Sequence, residues 1–457
     1  NRRTTVNGRI IVGGKGRKPP KEADVFLHIA MKVAKNCRYV EPQFTLRFDK
    51  ETSEEIWDEA LDALGAGATY PTLYNDDVNV PAVMYGMRVD EKTAEQYVPF
   101  GCTEFVIQGQ STGTPNICIN LLKLLTIYMN DGIDPIDGKR KSGPVPLKKL
   151  EEYQTFEEFY DGYKALLDYY LDLSVKAQYH SYEVMNQHVS FLFTSLLTDD
   201  CIARGKALLD GGVRYLGGTN ETYGNINTSD SLWVIRDLVF NQKKYTLRQL
   251  NDAMLANFNG YEALRKDCLN CDKYGNDLET ADTMANDLYE FVAKGVRNRG
   301  IAIGMQYFLI VISNNQLNTE WGNRTAASPD GRLSCMYMNP ANNPQGGANK
   351  SGPTAMLNSL AKFDAKYHGG SVQNIKFSPS MFNENRAVIK SLFKTYFAKG
   401  GCHLMVTVVD KGVLEDAVEH PENYPDLIVR VSGFSAVFVD LSPNIQQELL
   451  SRVLYDK

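Results

Sequence analysis

The sequence predicts an α/β protein, because helical and strand-like patterns alternate along all 457 residues. Residues 156–197 carry an aromatic and aliphatic stripe at helical spacing, which indicates a long helical region with one or two breaks. Residues 403–409 form a short apolar run rich in β-branched side chains, which is typical of a buried strand. Two similar runs are joined by a glycine within residues 427–440. Helices and strands are therefore interleaved rather than segregated.

The N-terminal part of the chain combines one strand with two helices. Residues 7–14 (NGRIIVGG) predict a short buried strand that ends in a glycine turn, and residues 23–37 predict the helix after it. Ser53 can cap a second amphipathic helix, which Gly65 and Gly67 stop. Further helices are predicted at residues 116–129, 246–258, 279–296 and 354–363. Further strands are predicted at residues 301–303 and 309–312.

Composition and charge exclude several classes of protein. A hydrophobic content of 43% provides for a sizeable core. A formal net charge of −6 argues against a nucleic-acid surface, because phosphate binding needs clustered Lys and Arg. No apolar run approaches the roughly 20 residues that span a bilayer, so we expect a soluble globular protein without a membrane segment. The chain begins with Asn1 rather than Met, which leads us to expect a missing N-terminal region.

The cysteine and histidine residues favour no metal site. Eight cysteines are scattered without the spacing of a disulfide framework, so a reducing cytoplasm is the expected compartment. Cys268 and Cys271 form one CxxC pair, but the second pair or nearby His ligands that zinc needs are lacking in the sequence. His368 and His403 are expected to have structural or solvated roles.

Two glycine-rich segments could indicate nucleotide binding, because backbone N–H groups at the start of a helix can cradle phosphate. Residues 13–17 follow a predicted strand, but they lack the GxGxxG spacing, and two prolines interrupt the helix that should follow. Residues 346–353 contain a Lys-Ser pair without the glycine that precedes the lysine in a P-loop. Neither segment therefore predicts a nucleotide site.

The segment around Gly433 carries the most information about function. It reads as two β-type runs joined at a glycine, followed by a helix with Ser442 at its cap and Pro443 at its first position. One interpretation is a hairpin whose turn needs positive φ. Another is a radical store, because an α-carbon radical must become planar, and a residue without a side chain can flatten without a clash.

A backbone radical needs a relay to reach substrate, and a thiol is suitable because its sulfur is mobile and polarizable. Cys102 provides a candidate, with Gly101 before it and a carboxylate two residues on at Glu104. In an extended segment, residues i and i+2 face the same side, so thiol and carboxylate could open onto one cavity. As an isolated feature, Cys102 is more typical of a small buried core residue, and the pairing with Glu104 is what favours the relay.

The chain resembles the glycyl radical enzymes of the pyruvate formate-lyase superfamily along essentially its whole length. Residues 430–436 (RVSGFSA) resemble the RVxGYxA radical signature, with Phe434 in place of the common Tyr. Residues 101–104 (GCTE) resemble the GCxE thiyl loop, whose cysteine abstracts hydrogen and whose glutamate acts as base. Supporting similarities lie at residues 73–76 (LYND), Gly224 with 230–232 (DSL), 273–277 (KYGND), 328–332 (SPDGR) and 352–355 (GPTA).

This resemblance implies a ten-stranded α/β barrel of two half-barrels, in which the cysteine and glycine loops meet. The chain would supply mainly the second half, with residues 1–325 belonging to the catalytic domain and residues 326–457 forming the glycine radical domain. The first half would be missing upstream sequence or a separate subunit. The resemblance also implies a homodimer with no bound cofactor, and a radical S-adenosylmethionine activase with an iron–sulfur cluster that installs the radical on Gly433.

Within the superfamily, the cysteine loop is most similar to that of the eliminase branch. Pyruvate formate-lyases carry adjacent cysteines, whereas this chain has Gly101 before Cys102. The resemblance therefore implies a dehydratase-like lyase that eliminates water from a small hydroxylated substrate, with Gly433, Cys102 and Glu104 as catalytic residues. The alternatives are a C–S or C–N lyase, a decarboxylase, a formate acyltransferase, or an inactive relative that acts as a binding subunit.

The chain departs from the eliminase pattern at several positions. Asn116 stands where Asp or His is common, and it is a candidate for the substrate pocket together with Phe105. Met405 and Thr407 stand where a Gln and Asn pair is common. We expect a sub-family with an unusual substrate.

Overall fold

A computed structural model of the chain describes residues 8–17, 20–37, 40–113, 116–312 and 316–456. The chain forms two compact units. Unit 1 comprises residues 1–108, 313–315 and 351–457, and unit 2 comprises residues 109–312 and 316–350. Unit 1 is therefore built from both ends of the chain. No helix in the described ranges combines the length and apolar character needed to cross a bilayer.

In the order of the chain, the strands are β1 (Arg9–Gly13), β2 (Gln43–Phe48), β3 (Thr72–Asn75), β4 (Tyr97–Phe100), β5 (Glu104–Ile107), β6 (Ile117–Asn120), β7 (Gly217–Tyr223), β8 (Tyr307–Ile312), β9 (His368–Ser371), β10 (Asn374–Phe377), β11 (His403–Val408), β12 (Ile428–Arg430), β13 (Ser435–Val437) and β14 (Leu454–Tyr455).

The helices are α1 (Pro20–Asn36), α2 (Glu54–Gly65), α3 (Asp76–Met87), α4 (Glu91–Ala94), α5 (Leu121–Met129), α6 (Phe156–His188), α7 (Leu192–Leu196), α8 (Cys201–Arg204), α9 (Asn225–Val234), α10 (Leu247–Leu255), α11 (Glu262–Asn270), α12 (Glu279–Ala302), α13 (Leu317–Gly322), α14 (Gly352–Ala361), α15 (Pro379–Glu384), α16 (Arg386–Ala398), α17 (Lys411–Glu419) and α18 (Pro443–Ser451).

Unit 1 contains a mixed sheet in the order β1-β2-β3-β11-β10-β14. Strands β1, β2 and β3 run parallel, β3 pairs antiparallel with β11, and β11, β10 and β14 run parallel. All six residues of β2 (QFTLRF) are buried, as expected for a strand covered on both faces. Helices α1 and α2 pack against each other in this unit. Ser53 caps α2 as predicted, accepting a hydrogen bond from the Ile56 N–H at 3.4 Å.

Unit 1 also contains two antiparallel hairpins that carry the predicted catalytic residues. The cysteine hairpin consists of β4 and β5 with the intervening turn at residues 101–103, and it pairs Phe100 with Glu104. The glycine hairpin consists of β12 and β13 with the turn at residues 431–434, and it pairs Arg430 with Ser435. The predicted pair of runs around Gly433 is therefore confirmed. Ser442 precedes α18 as expected, but its hydroxyl makes no capping hydrogen bond.

Unit 2 contains the parallel strands β6, β7 and β8. The long helix α12 packs on β8, on α9 and on α6. Asn120 ends β6 and caps α5, because its side chain accepts a hydrogen bond from the Lys123 N–H at 2.9 Å. The strand-to-helix change thus takes place at a single residue.

The predicted α/β class is confirmed, and several elements need correction. Residues 301–303 are not a strand, since α12 continues through Ala302. Residues 117–120 form β6 rather than the first turn of the helix predicted at residues 116–129. The strand predicted at residues 7–14 is β1, and Asn7 lies outside the described residues. The long helical region is confirmed as α6 and α7.

Candidate active site

Cys102 lies in the turn of the cysteine hairpin, and not in an extended segment as the sequence predicted. The turn closes through a hydrogen bond from the Thr103 N–H to the Phe100 carbonyl at 3.0 Å. Thr103 is fully buried with a φ of 91°. A positive φ in a β-branched residue costs about 1–3 kcal/mol and is typical of sites that the surrounding structure holds in place.

Strand β9 provides that support. A Cβ atom added to Gly370 would lie 2.2 Å from the Thr103 carbonyl oxygen, so the backbone of β9 is in direct contact with the turn. Gly370 itself has a φ of 147°. Two residues earlier in β9, His368 is buried and its ring lies 6.3 Å from that of Phe105. The turn that carries Cys102 is thus held against β9 at Gly370, where there is no room for a side chain.

Gly433 is in contact with Cys102. A Cβ atom at Gly433 would lie 2.6 Å from both Cα and Sγ of Cys102 and 2.9 Å from the Gly101 carbonyl oxygen. The φ of Gly433 lies outside the left-handed region, so its turn does not require glycine for its backbone conformation. Glycine is required at this position because Cys102 occupies the space of a side chain.

The Glu104 carboxylate lies against Gly101. A Cβ atom at Gly101 would lie 2.7 Å from Oε2 of Glu104, and Gly101 has a φ of 51°. Glu104 is buried. The same-face argument from the sequence does not describe this geometry. The carboxylate instead occupies space that is open because Gly101, the residue before Cys102, has no side chain.

Arg9 on β1 joins the cysteine and glycine hairpins. Its Nη2 donates to the Gly101 carbonyl at 2.9 Å and to the Gly433 carbonyl at 3.3 Å. Nη2 also donates to Oε1 of Gln43 at 2.8 Å, and Nη1 donates to the Pro99 carbonyl at 3.0 Å. One guanidinium therefore contacts the backbone on both sides of the Cys102–Gly433 contact.

Arg430, which belongs to the glycine hairpin, is fully buried beside this cluster. Its Nη1 donates to Oε1 of Gln43 at 3.3 Å and to Oγ of Ser435 at 3.4 Å. Its Nε contacts Sδ of Met405 at 3.2 Å. Burial lowers the pKa of Arg430, and the nearby Arg9 lowers it further. Gln43 thus accepts from two cations that lie close together.

The two buried histidines of unit 1 are held neutral. Burial lowers the pKa of His368 to about 4, and its Nδ1 accepts a hydrogen bond from the Gly370 N–H at 3.0 Å. Burial, Arg430 and Arg9 all lower the pKa of His403. His403 packs against Tyr74, whose pKa is raised by burial. The structural roles expected for these histidines therefore agree with their surroundings.

The two predicted pocket residues belong to different units. Phe105 is buried in unit 1, where its ring packs edge-on against Tyr97 at 5.3 Å. Asn116 belongs to unit 2, where its amide donates to Glu221 at 2.8 Å and accepts from the Thr219 hydroxyl at 2.5 Å. Each unit therefore places one of the two residues among its own side chains.

Sequence reasoning missed Arg9 and Gln43. Arg9 is a charge at the start of an otherwise apolar strand (RIIVG), and this was the one signal available. Gln43 opens a strand in which every residue is buried, so a polar contact could have been expected there. Nothing in the sequence indicates that both side chains reach the glycine hairpin.

Comparisons with known proteins agree with this geometry. Residues 3–317 match the family model described as Pyruvate formate lyase-like, and residues 338–439 match the one described as Glycine radical. The chain belongs to the pyruvate formate lyase-like family of glycyl radical enzymes. The expected superfamily is therefore confirmed.

The chain is also similar to individual members of this family. The chain is 30% identical over 428 residues to trans-4-hydroxy-L-proline dehydratase of Clostridioides difficile, covering 93% of this chain and 54% of the relative. The glycerol-bound B12-independent glycerol dehydratase of Clostridium butyricum superposes with a TM-score of 0.91 at 29% identity, covering 98% of this chain and 57% of the other. Hydroxyproline dehydratase of Clostridioides difficile, solved with trans-4-hydroxy-L-proline, gives a TM-score of 0.90 at 28% identity with the same coverage.

Two conclusions follow from these comparisons. The structural neighbours are glycyl radical enzymes with the α/β barrel fold, which confirms the fold class predicted from the sequence. The chain spans about half the length of the relatives that it matches, between 54% and 57%.

Proposed function

We propose that this chain is the catalytic part of a glycyl radical lyase that eliminates water from a small hydroxylated substrate. In this proposal Gly433 stores the radical, Cys102 transfers it to substrate and Glu104 is the base. The observation that carries the proposal is the contact in which Cys102 Sγ lies 2.6 Å from the position of a Cβ atom at Gly433. A thiol in this position can exchange a hydrogen atom with the glycine.

The surroundings of Gly433 suit a stored radical. An α-carbon radical is conjugated with both flanking amides only when it is planar, and a side chain at this position would collide with Cys102. Gly433 is buried, as are its neighbours Val431 and Ser432. Burial supports the proposal because it keeps oxygen and water away from the radical.

The reaction balances with these three residues. The Gly433 radical takes the hydrogen atom of the Cys102 thiol, and the resulting thiyl radical takes a hydrogen atom from the substrate carbon that bears a hydroxyl. Glu104 accepts the proton of that hydroxyl and passes it to the neighbouring hydroxyl, which departs as water and leaves Glu104 ionised again. Cys102 then returns its hydrogen atom to the product radical, and the thiyl radical regains the hydrogen atom of Gly433.

The position of Glu104 favours elimination over acyl transfer. An acyltransferase of this superfamily would carry a second cysteine at the position of Gly101. A Cβ atom there would lie 2.7 Å from Oε2 of Glu104, so a side chain at residue 101 and the present carboxylate compete for one space. The chain therefore has room for a base and lacks room for an acyl-bearing thiol.

The remaining assignments extend the family relationship. Residues 1–325 are proposed as part of the catalytic domain and residues 326–457 as the glycine radical domain, with Phe105 and Asn116 contributing to the substrate pocket. Hydroxyproline and glycerol, which two relatives are named for, define the kind of substrate. The proposed partners are a radical S-adenosylmethionine activase with an iron–sulfur cluster and a second copy of the chain, in an anaerobic cytoplasm.

The test is mass spectrometry under denaturing conditions on the complete protein after anaerobic activation and brief exposure to air, because oxygen cleaves a chain at a glycyl radical. We expect loss of the segment that follows Gly433, and no cleavage in Gly433→Ala. Gly8→Ala is the matched control, because a Cβ atom there has an ordinary 3.7 Å contact with Pro42. An uncut wild-type chain, with an activase competent on another protein, would overturn the proposal in favour of an inactive relative.

A further inference from the structure

We propose that Arg9 is a positioning residue that holds the Gly433 loop against the Cys102 loop and polarises the Gly433 carbonyl. This inference rests on the proposed function, since it assigns Arg9 to the transfer of hydrogen between Gly433 and Cys102. Arg9 has no place in the steps given above.

The first observation is the set of acceptors that one side chain reaches. Arg9 Nη2 lies 2.9 Å from the Gly101 carbonyl oxygen and 3.3 Å from the Gly433 carbonyl oxygen. Gly101 and Gly433 are 332 residues apart in sequence, as the difference of their numbers gives. Both carbonyl oxygens accept from this one nitrogen, which brings the cysteine and glycine loops together at a single point. The Cys102 backbone, which follows Gly101, is placed by the same contact.

The second observation is that Arg9 is itself held rigidly. It opens β1, where it pairs in register with Gln43 of β2. Nη2 of Arg9 and Nη1 of Arg430 donate to the same oxygen of Gln43, at 2.8 and 3.3 Å. Nη1 of Arg9 donates to the Pro99 carbonyl at the end of the cysteine hairpin. The guanidinium is therefore fixed from the sheet on one side and from the cysteine hairpin on the other.

The third observation concerns what else holds the glycine hairpin. Its apolar contacts come from a cluster in its own part of the chain, consisting of Val409, Leu414, Ala417, Val429, Val431, Phe438, Ile445 and Leu449. Its links to the rest of unit 1 include a hydrogen bond from Ser435 to the Thr69 hydroxyl at 2.9 Å. Lys376 also donates to the Leu449 carbonyl at 3.1 Å. The contact from Arg9 differs from these because it reaches the carbonyl of Gly433 itself.

Two opposite consequences follow. Since Gly433 is buried, an activase can reach its hydrogen only after the hairpin moves, and that movement must break the Arg9–Gly433 hydrogen bond. Arg9 therefore slows radical formation. Once the hairpin has returned, the same bond restores the close approach of Gly433 to Cys102 and so speeds the transfer. The Gly433 carbonyl is conjugated with the radical centre, so a cationic donor on it also changes the spin distribution.

The experiment compares Arg9→Gln and Arg9→Lys with wild type in the complete native protein with its activase. We expect Arg9→Gln to form the Gly433 radical about threefold faster and to turn over about tenfold more slowly per radical, as for the loss of a hydrogen bond to a charged group. KM should stay unchanged, and the paramagnetic resonance spectrum of the radical should differ from wild type. Arg9→Lys should lie between the two, because it keeps the charge and loses the second nitrogen, which donates to the Pro99 carbonyl.

Arg17→Gln is the matched control, because Arg17 also donates to a glycine carbonyl, that of Gly14, at 2.6 Å. Its turnover per radical and its radical spectrum should equal those of wild type. Unchanged turnover and spectrum in Arg9→Gln would overturn the inference, as would equal losses in Arg17→Gln. If thermal unfolding shows that Arg9→Gln does not fold, Arg9→Lys is judged by the same two readouts. A wild-type protein that forms no radical at Gly433 would instead overturn the proposed function.

Discussion

The cysteine hairpin and the glycine hairpin have the same architecture but are anchored differently. Tyr97 of the cysteine hairpin donates to Asp76 at 2.8 Å, and its carbonyl accepts from Arg47 at 2.9 Å. Arg47 and Asp76 form a buried ion pair at 2.7 Å. Residues far apart in sequence therefore fix this hairpin, and breaking such a buried pair would be strongly destabilising.

The apolar contacts of the glycine hairpin lie in its own neighbourhood, and its links to Arg9, Gln43 and Thr69 are polar. The apolar cluster beneath it is drawn from residues 409–449, and α17 and α18 pack against each other in the same segment. A segment with its own core can move as a body without exposing much apolar surface, because its buried contacts move with it. From this comparison we predict that the cysteine hairpin stays fixed and that the glycine hairpin is the more mobile of the two.

The largest expected effect tests the different chemical roles of the cysteine and glycine hairpins. Cys102→Ser should lower turnover by at least about 10⁴-fold, equivalent to about 5.5 kcal/mol of activation free energy, because a hydroxyl cannot replace the thiol as hydrogen donor. The Gly433 radical should still form, since activation needs the glycine and not the cysteine. Paramagnetic resonance and product analysis measure the two quantities. Cys37→Ser, at an exposed position, should retain both, and loss of the radical in Cys102→Ser would contradict this division of roles.

The next effect tests the space shared by Gly101 and Glu104. Gly101→Ala should displace the Glu104 carboxylate and lower turnover by about 10²–10⁴-fold, the range for loss of a general base, while the radical still forms. Gly109→Ala is the control, because Gly109 also has positive φ but nothing lies within 4 Å of an added Cβ atom. Comparing the steady-state rates per radical of the two variants should distinguish the effect of the clash with Glu104 from the effect of backbone strain. Equal losses in both variants would show that strain alone is responsible.

Acid should weaken the anchoring of the cysteine hairpin through His368. Burial lowers the pKa of His368 from 6.5 to about 4, so the unfolded chain takes up a proton first as the pH falls. Stability from this group is full above pH 6.5 and is lost as the pH falls toward 4. The loss of unfolding free energy between pH 7 and pH 5 is about 2 kcal/mol.

Urea unfolding at the two pH values measures this loss. His368→Gln should reduce the difference between pH 7 and pH 5 by that amount. His180→Gln, with a side chain that is 74% exposed, should leave the difference unchanged. Hydrogen exchange at pH 5 should increase in residues 97–107 before it increases in residues 428–437. The reverse order would contradict the placement of His368 beneath the cysteine hairpin.

The smallest effect concerns the polar attachment of the glycine hairpin. Ser435→Ala removes the hydrogen bond to the Thr69 hydroxyl and the longer one from Arg430 at 3.4 Å, and it should lower local stability by about 1 kcal/mol, which is about a fivefold faster hydrogen exchange in residues 428–437. Ser451→Ala is the control, because its hydroxyl donates to the Glu448 carbonyl within the same helix. No difference between the two variants would mean that the Thr69 contact does not hold the hairpin.

The sequence predicted the elements whose pattern is local. The glycine hairpin, α2 with its Ser53 cap and the long helix α6 were recognisable from turn, cap and periodicity signals. Strand β7 (GGTNETY) was missed because its residues are mostly polar or glycine, although all seven are buried. Its burial depends on the strands beside it, which periodicity does not report.

The proposed site residues were expected to lie together, and the geometry that joins them was not predicted. Cys102, Glu104 and Gly433 were proposed as one group, and unit 1 places all three together. The sequence did not reveal why each of these positions must be glycine. Gly433 could have been required by the backbone conformation of a turn, but the structure shows that Cys102 fills the space of a side chain there. The extended conformation expected around Cys102 was wrong because Thr103 takes a positive φ that a β-branched residue rarely adopts.

The short strand β14 has a practical consequence for damage to the protein. It pairs with β10 through Leu454 and Tyr455, and the Ser378 N–H donates to the Tyr455 carbonyl at 2.9 Å. A chain severed at Gly433 would therefore keep its C-terminal piece docked by this pairing and by the core that α18 shares. A severed protomer would migrate in native gels and sediment as if it were whole, and its broken backbone would appear only after denaturation. Inactivated protein of this kind can accumulate unnoticed in a preparation that looks homogeneous.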